Sequence, residues 1–377
     1  MYIEIESEAQ LLALLNARSD IQKVVVQAVD LRVAKTQLLS MRAEGGVFLG
    51  CQFDTELLTH VMSTGGTVFP ELPDLEFKPY RASLYTADEL LDGYVKGNAE
   101  SLFTTTRDAR IYRQFQESKS EHSLVDALAQ RLHDHAIDDA LDDLLGDPQK
   151  PRRVVAIMGG HAMRRGDDAY RDVARMARRL TTKGYFLASG GGPGAMEATN
   201  LGAWFGPRPE EELERAIDRL ALVPTFRDRG DLSWQDLALE VRDASSGGAE
   251  SLGVPTWFYG HEPVNVFSTH IAKYFSNSIR EDGLLALARH GVIFAPGSAG
   301  TVQEVFQDAA QNHYGVFGDV SPMVLYGSRF WKEEKPAWSL LQALSRGRQY
   351  EKMIAMEDDV DAIVRFIADH PRVAYQP

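Results

Sequence analysis

From residue 154 onward the chain repeats one pattern, in which a short apolar run ends in glycine and an amphipathic stretch follows it. The runs are VVAIMGG (154–160), YFLASGGGPG (185–194), SLGVPTWFY (251–259), GVIFAPG (291–297) and MVLYG (323–327). Near-continuous apolar strands alternating with helices do not suit a sheet with one wet face. They call for a parallel sheet covered on both sides. The expected class is therefore α/β, a Rossmann-like parallel sheet with helices on both faces. Between the first two runs, Tyr170, Val173, Met176, Ala177 and Leu180 fall at helical spacing, and Gly184 stands where that helix should stop. A right-handed strand–helix–strand unit follows.

Residues 1–150 do not carry this repeat. QKVVVQAVDL, GGVFLGCQF and GGTVFPEL read as short strands, and a helical part follows them. The expected organisation is an N-terminal α+β accessory domain over 1–150 and a Rossmann-like domain over 151–377, joined through GDPQKPRR. SLVDALAQRLHDHAIDDALDDLL has apolar residues at three- and four-residue steps, so one long helix is predicted. Between residues 121 and 150 there are eight acidic and two basic residues, which fits a solvated face or an interface helix. At about 206–248, PRPEEELERAIDRL and SWQDLALEVRDASSGG read as two helices inserted before the next strand, either decoration or a substrate lid.

Charge and composition narrow the function classes. A formal net charge of −14 argues against broad nucleic-acid binding, which favours a basic face. The single cysteine, Cys51, excludes an internal disulfide, and no Cys/His pattern has metal-ligand spacing. No apolar run approaches the roughly 18 residues of a membrane span, and the start MYIEIESEAQ has no basic segment followed by an apolar one. The expectation is a cytoplasmic protein with a small-molecule partner, no metal, no nucleic acid and no membrane.

In an open parallel sheet, ligands bind outside the carboxyl ends of the strands, where backbone N–H groups and helix N-termini converge. Three glycine-bearing loops fall there. MGGHAMRRGD lets the chain turn at Gly159 and Gly160, but it is not GxGxxG and has no acidic partner downstream, so a classical dinucleotide site is poorly supported. SGGGPGAMEA places Ser189, Gly190, Gly191, Gly192 and Gly194 around Pro193, and four glycines in five positions favour close approach of backbone to a ligand. Glu197 lies in the following first turn, where a carboxylate is favourable with or without a ligand.

FAPGSAGTVQE (294–304) is the third loop. Gly297 and Gly300 free the backbone, Ser298 and Thr301 add hydroxyls, and a helix is expected to begin around Thr301. Glu304 follows Thr301 at capping-box spacing, so the local pattern leaves a capping role and a catalytic one both open. Upstream, Arg280 can reach an anion at this loop or stand on a solvated helix face. There is no P-loop lysine and no GxSxG in a strand-to-helix setting, which speaks against triphosphate hydrolysis and serine hydrolysis.

At these residues the sequence resembles the LOG (Lonely Guy) family, often mislabelled lysine decarboxylases. That family is marked by a GGGxxGxM strand-loop and a later PGGxGTxxE loop. Here they stand as GGGPGAM (190–196) and PGSAGTVQE (296–304), and the resemblance runs from about 153 to 370. ARHGVIFAPGSAGT is similar to the larger bacterial members that act as nucleotide 5′-monophosphate nucleosidases. The resemblance implies hydrolysis of the N-glycosidic bond of a nucleoside 5′-monophosphate, releasing free base and ribose 5-phosphate, with no cofactor and with a homodimer or larger homo-oligomer. It puts the catalytic glutamate at Glu304 and the catalytic basic residue at Arg280. Its phosphate loop falls on Pro296, Gly297, Ser298, Gly300 and Thr301, and its first substrate loop on Ser189–Gly194 with Met196, beside Gly159 and Gly160.

Two departures stand out: Ser298 replaces the second glycine of PGG, and Glu281 and Asp282 follow Arg280 where plant-type members have a basic pair. They favour the alternative, a nucleotide or phosphorylated-cofactor binding protein that acts as a sensor or carrier without cleavage. A pyridoxal-phosphate decarboxylase, the old family label, would need Lys273 of STHIAK as its anchor. Trp257, Phe258 and Tyr259 are candidates for stacking on a base or for a buried strand. The preferred base and the role of residues 1–150 are not legible.

Overall fold

The computed structural model describes residues 2–18, 20–121, 123–228 and 232–376, which divide into two compact units. The smaller comprises the chain up to Leu84 together with Arg113–Leu144, and the larger comprises Tyr85–Tyr112 and the chain from Leu145 onward.

In the smaller unit β1 (Ile3–Ile5), β2 (Val24–Gln27), β3 (Val47–Leu49) and β4 (Thr67–Phe69) pair in parallel in that order. Parallel neighbours cannot be joined by a tight hairpin. Helices Glu8–Ala17 and Thr55–Ser63 make two of the crossovers. The strands expected for an α+β unit therefore form a parallel sheet of their own, around a core that includes Leu11, Leu15, Val26, Phe48 and Leu57. The predicted long helix forms in one piece as Leu124–Gly146, burying Ala129, Ile137, Ala140 and Leu141 and leaving Asp142 and Asp143 in solvent.

The larger unit contains β5 (Arg153–Met158), β6 (Tyr185–Ser189), β7 (Ser251–Gly253), β8 (His270–Ile271), β9 (Val292–Phe294), β10 (Asp319–Val320), β11 (Met323–Tyr326), β12 (Ile354–Glu357) and β13 (Val373–Ala374). Seven of these build one sheet in the order β12-β11-β9-β5-β6-β7-β8, every pairing parallel, while β10 and β13 form a small antiparallel pair. Helix Asp168–Thr182 buries the predicted face of Tyr170, Val173, Met176, Ala177 and Leu180, and Gly184 follows at φ +79°. From β5 the chain steps outward through β6 and β7 to β8, then returns to the other side of β5 with β9. That reversal opens a crevice at the carboxyl ends of β5 and β9, where ligands of doubly wound sheets bind.

Residues 85–112, which the sequence pattern grouped with the N-terminal domain, belong to this larger unit. Tyr85 exchanges both backbone hydrogen bonds with Ile271 on β8, at 3.0 and 2.9 Å. Asp108 is fully buried and accepts from Lys273 Nζ at 2.7 Å, Trp257 Nε1 at 2.8 Å and His261 Nε2 at 2.9 Å. Burial pushes its carboxyl up, but Lys273 and His261 more than offset this and hold it below the usual range. A buried charge needs such partners, and they lie about 150 residues away in the chain, beyond the reach of local periodicity.

The insertion forms its two predicted helices, Glu210–Leu220 and Trp234–Ala244, and both bury an apolar face that includes Leu213, Ile217, Leu237 and Val241. No helix of the described residues is long and apolar enough to cross a membrane.

Candidate functional site

Three backbone hydrogen bonds draw the glycine loops together at the crevice. Ala295 N–H donates to Met158 O at 2.8 Å, Gly160 N–H to Pro296 O at 3.1 Å, and Ala195 N–H to Gly160 O at 3.2 Å. Contact this close excludes side chains. A Cβ on Gly159 would lie 2.7 Å from the Ala195 methyl, and one on Gly194, held at φ +71°, would lie 2.5 Å from Gly160 O.

The third loop differs from its local pattern. Its helix is Ala299–Tyr314, so it starts two residues before Thr301, with Ser298 at the N-cap making no side-chain capping bond. Thr301 is then the third helical residue and Glu304 lies in the second turn. The capping box does not form, because a side chain that far inside a helix cannot return to the N-cap amide. Instead the Thr301 hydroxyl folds back onto Gly297, where a Cβ would come within 2.1 Å of Oγ1. Ser298 and Gly300 are exposed. The first N–H groups of the helix have no partner within it, and together with the helix dipole they favour negative charge at this end.

Glu304 and Arg280 come together just inside that helix end. Both are nearly buried, at 7% and 8% exposure, with Arg280 Nη1 3.6 Å from Glu304 Oε1. Arg280 is the buried member of the two alternatives left open for it, on helix Asn277–Leu287, with Nε donating to Val254 O at 2.7 Å. Gly190 makes room for its guanidinium, since a Cβ there would sit 2.4 Å from Nη2. Burial pushes the Glu304 carboxyl up to about 7 against the pull of Arg280, and the Glu281 charge adds to the rise. Glu281 itself accepts from Gln303 Nε2 at 2.8 Å and from the exposed Tyr259 hydroxyl at 3.4 Å. One turn beyond Glu304, buried Asp308 is pushed up to about 8 by desolvation, and its Oδ2 has no hydrogen-bond partner among the described residues.

The second loop is more internally bonded than its glycines alone imply. Ser189 is fully buried, donating to Asn200 Oδ1 at 2.7 Å and accepting from Gly191 N–H at 3.1 Å. Gly192 N–H points to Met196 Sδ at 3.4 Å. Gly190, Gly191, Gly192 and Gly194 are buried and Met196 half-buried, so this loop supplies close packing against Arg280 and its neighbours. Glu197, legible only as a first-turn acid, is a buried ion-pair partner of Arg165, whose Nε donates to it at 2.8 Å, while Tyr170 adds a hydroxyl at 2.9 Å. Arg165 also lies 3.7 Å over the Trp234 ring of the insertion. A cavity beside the loop is lined by His161, Met163, Pro193, Phe226 and Trp234 among others, so the insertion supplies one of its walls.

Several residues find roles that local pattern could not assign. Trp257 is fully buried with its indole on Asp108, whereas Phe258 and Tyr259 are exposed at 46% and 70%. Lys273 is locked in the Asp108 pair, which removes the free amine a pyridoxal-phosphate anchor requires. Asp308 stands four residues from Glu304 on one helix face, a signal present in the sequence. Glu262, which faces Gly192, had none, because it sits on an irregular connection.

No protein-family model matches the chain, and no curated protein matches it. Among solved structures, two of the molybdenum cofactor carrier protein of Chlamydomonas reinhardtii align at 13% and 15% identity, each with a TM-score of 0.36, over 58% of this chain and 97% and 99% of theirs. Neither likeness bears on the site.

Proposed function

We propose that the larger unit is a nucleoside 5′-monophosphate phosphoribohydrolase, which hydrolyses the N-glycosidic bond to free base and ribose 5-phosphate. The observation that carries this is the buried Glu304–Arg280 pair, set one turn inside a helix whose open N-terminus suits a phosphate. One helical turn is about 5.4 Å, the scale of a ribose ring with its 5′ carbon. With the phosphate on the N–H groups at the helix start and the Ser298 and Thr301 hydroxyls, the sugar lies against Glu304.

Cleavage breaks the bond between the anomeric carbon and the base, the electron pair leaving with the base nitrogen. Water adds to the carbon, and its proton passes to the carboxylate or the departing base. An ionised Glu304 stabilises the oxocarbenium-like transition state or orients that water, and Arg280 favours the ionised form. The chemistry needs neither metal nor organic cofactor. The assembly that accompanies this reading is a homodimer or larger homo-oligomer, for which light scattering should return at least twice the chain mass.

A second reading draws on the same carboxyl. With its pKa near 7, Glu304 is partly protonated at neutral pH, and the neutral form stabilises no cation. The protein would then hold a nucleotide or phosphorylated cofactor without cleaving it. Incubation with a panel of nucleoside 5′-monophosphates, with free base followed by chromatography and Glu304→Ala in parallel, separates the two. Base release that vanishes in the variant supports the hydrolase. Binding without release from any nucleotide overturns it in favour of the second reading.

A further inference from the structure

The connection between β7 and β8 brings one carboxylate over the glycine loops without engaging it in the Glu304–Arg280 pair. A Cβ on Gly192 would lie 2.4 Å from Glu262 Oε2, so the carboxylate lies directly against the backbone of the second loop. Its side chain is 39% exposed, with His161 Nδ1 3.7 Å from Oε1. His161 directly follows Gly160, whose N–H binds the Pro296 carbonyl, so Glu262 borders the junction of all three loops. Its position is fixed from below. His261, its neighbour in the chain, donates to buried Asp108 at 2.9 Å and stacks on Tyr112 at 5.6 Å, and Trp257 holds the start of the same connection to that carboxylate. Glu262 is thus a part-exposed carboxylate carried on an anchored connection beside the glycine loops.

We propose that Glu262 is the base-reading residue of this site and selects guanine, a step that rests on the nucleoside-monophosphate reading above. An ionised carboxylate only accepts hydrogen bonds, with two oxygens side by side. Guanine presents adjacent N1–H and 2-amino donors that match it in bidentate fashion. Hypoxanthine keeps only the N1–H, and adenine sets its single amino group beside a ring acceptor that repels the second oxygen. A carboxylate would also be poorly placed against the phosphate, so the phosphate belongs at the Ser298–Thr301 end and the base at Glu262.

The test is calorimetric titration of the full chain with GMP, IMP and AMP, for the wild type and for Glu262→Gln and Glu262→Ala, with circular dichroism to confirm folding. The wild type is expected to bind GMP about tenfold or more tightly than AMP or IMP. In both variants that preference should fall to within about threefold, since neither side chain offers two acceptors. Binding with no guanine preference, or a preference that survives in a folded variant, overturns this inference and leaves the proposed function standing. Failure of every nucleotide to bind overturns both. Absence of a guanine preference in the wild type overturns the inference even should neither variant fold.

Discussion

Burial and a single guanidinium act on Glu304 in opposite directions, and in the proposed hydrolase their balance sets the pH at which it works. Its carboxyl titrates near 7, so base release should rise with pH through about that value, while Glu304→Gln removes the rise and lowers the rate by roughly 100-fold or more. Arg280→Gln, which deletes the charge favouring ionisation, should move the rise to higher pH; a pH–rate profile of each variant checks both statements. Gly190→Ala should imitate the Arg280 substitution, because the added methyl occupies the place of Nη2. Asp308 gives a stability prediction whose sign is fixed. Its folded pKa is raised from 3.8 to about 8, so the folded state keeps a proton that the unfolded chain releases. Its stabilising contribution is therefore complete below pH 3.8 and is lost as pH rises towards 8. Asp308→Asn, with no proton to release, should gain stability relative to the wild type between about pH 5 and about pH 9, by more than about 1.4 kcal/mol, the equivalent of one pKa unit. Urea unfolding at the two pH values measures it.

At the level of elements, helix starts and helix-end acids show how far local pattern reaches. The amphipathic spacing of 168–182 and the glycine after it were enough to define that helix, because its core face and its stop are both written within its own residues. Of the two roles that the Thr301–Glu304 spacing left open, the capping box does not form, because the helix begins at Ala299, two residues before Thr301. Glu197 likewise needed Arg165, 32 residues away, and Trp234 from the insertion before it became a buried ion pair. Glu197→Ala should cost about 3–5 kcal/mol by leaving Arg165 buried and unpaired, while Glu197→Leu with Arg165→Met should recover most of that loss. Denaturant midpoints of the three proteins test it. Arg165 thus bridges the glycine-loop helix, through its ion pair with Glu197, and the insertion, through its contact with the Trp234 ring.

For the whole molecule, the consequential fact is that a buried carboxylate from 85–112 sits inside the larger unit. A fragment beginning at residue 151, where the strand repeat alone would cut the chain, lacks Asp108 and leaves Lys273, 4% exposed, without its counter-ion. The expected penalty of about 3–5 kcal/mol is a large part of the roughly 5–15 kcal/mol by which domains are stable. That fragment should show weakened near-native circular dichroism and rapid proteolysis compared with the full chain. What the sequence by itself determined is a parallel sheet covered by helices on both faces, its glycine-terminated strands, and the placing of three loops at their carboxyl ends, since hydrophobic period and glycine position are local properties. The family resemblance of its glycine loops also pointed to Glu304 and Arg280. The tertiary structure alone decided that these two meet within 3.6 Å, that Ser189 and Gly191 bond inward, and that Glu262 faces the loop. Each of those depends on where distant backbone segments pack, and on how far packing removes a charge from water. Neither quantity is carried by the spacing of residues along a chain.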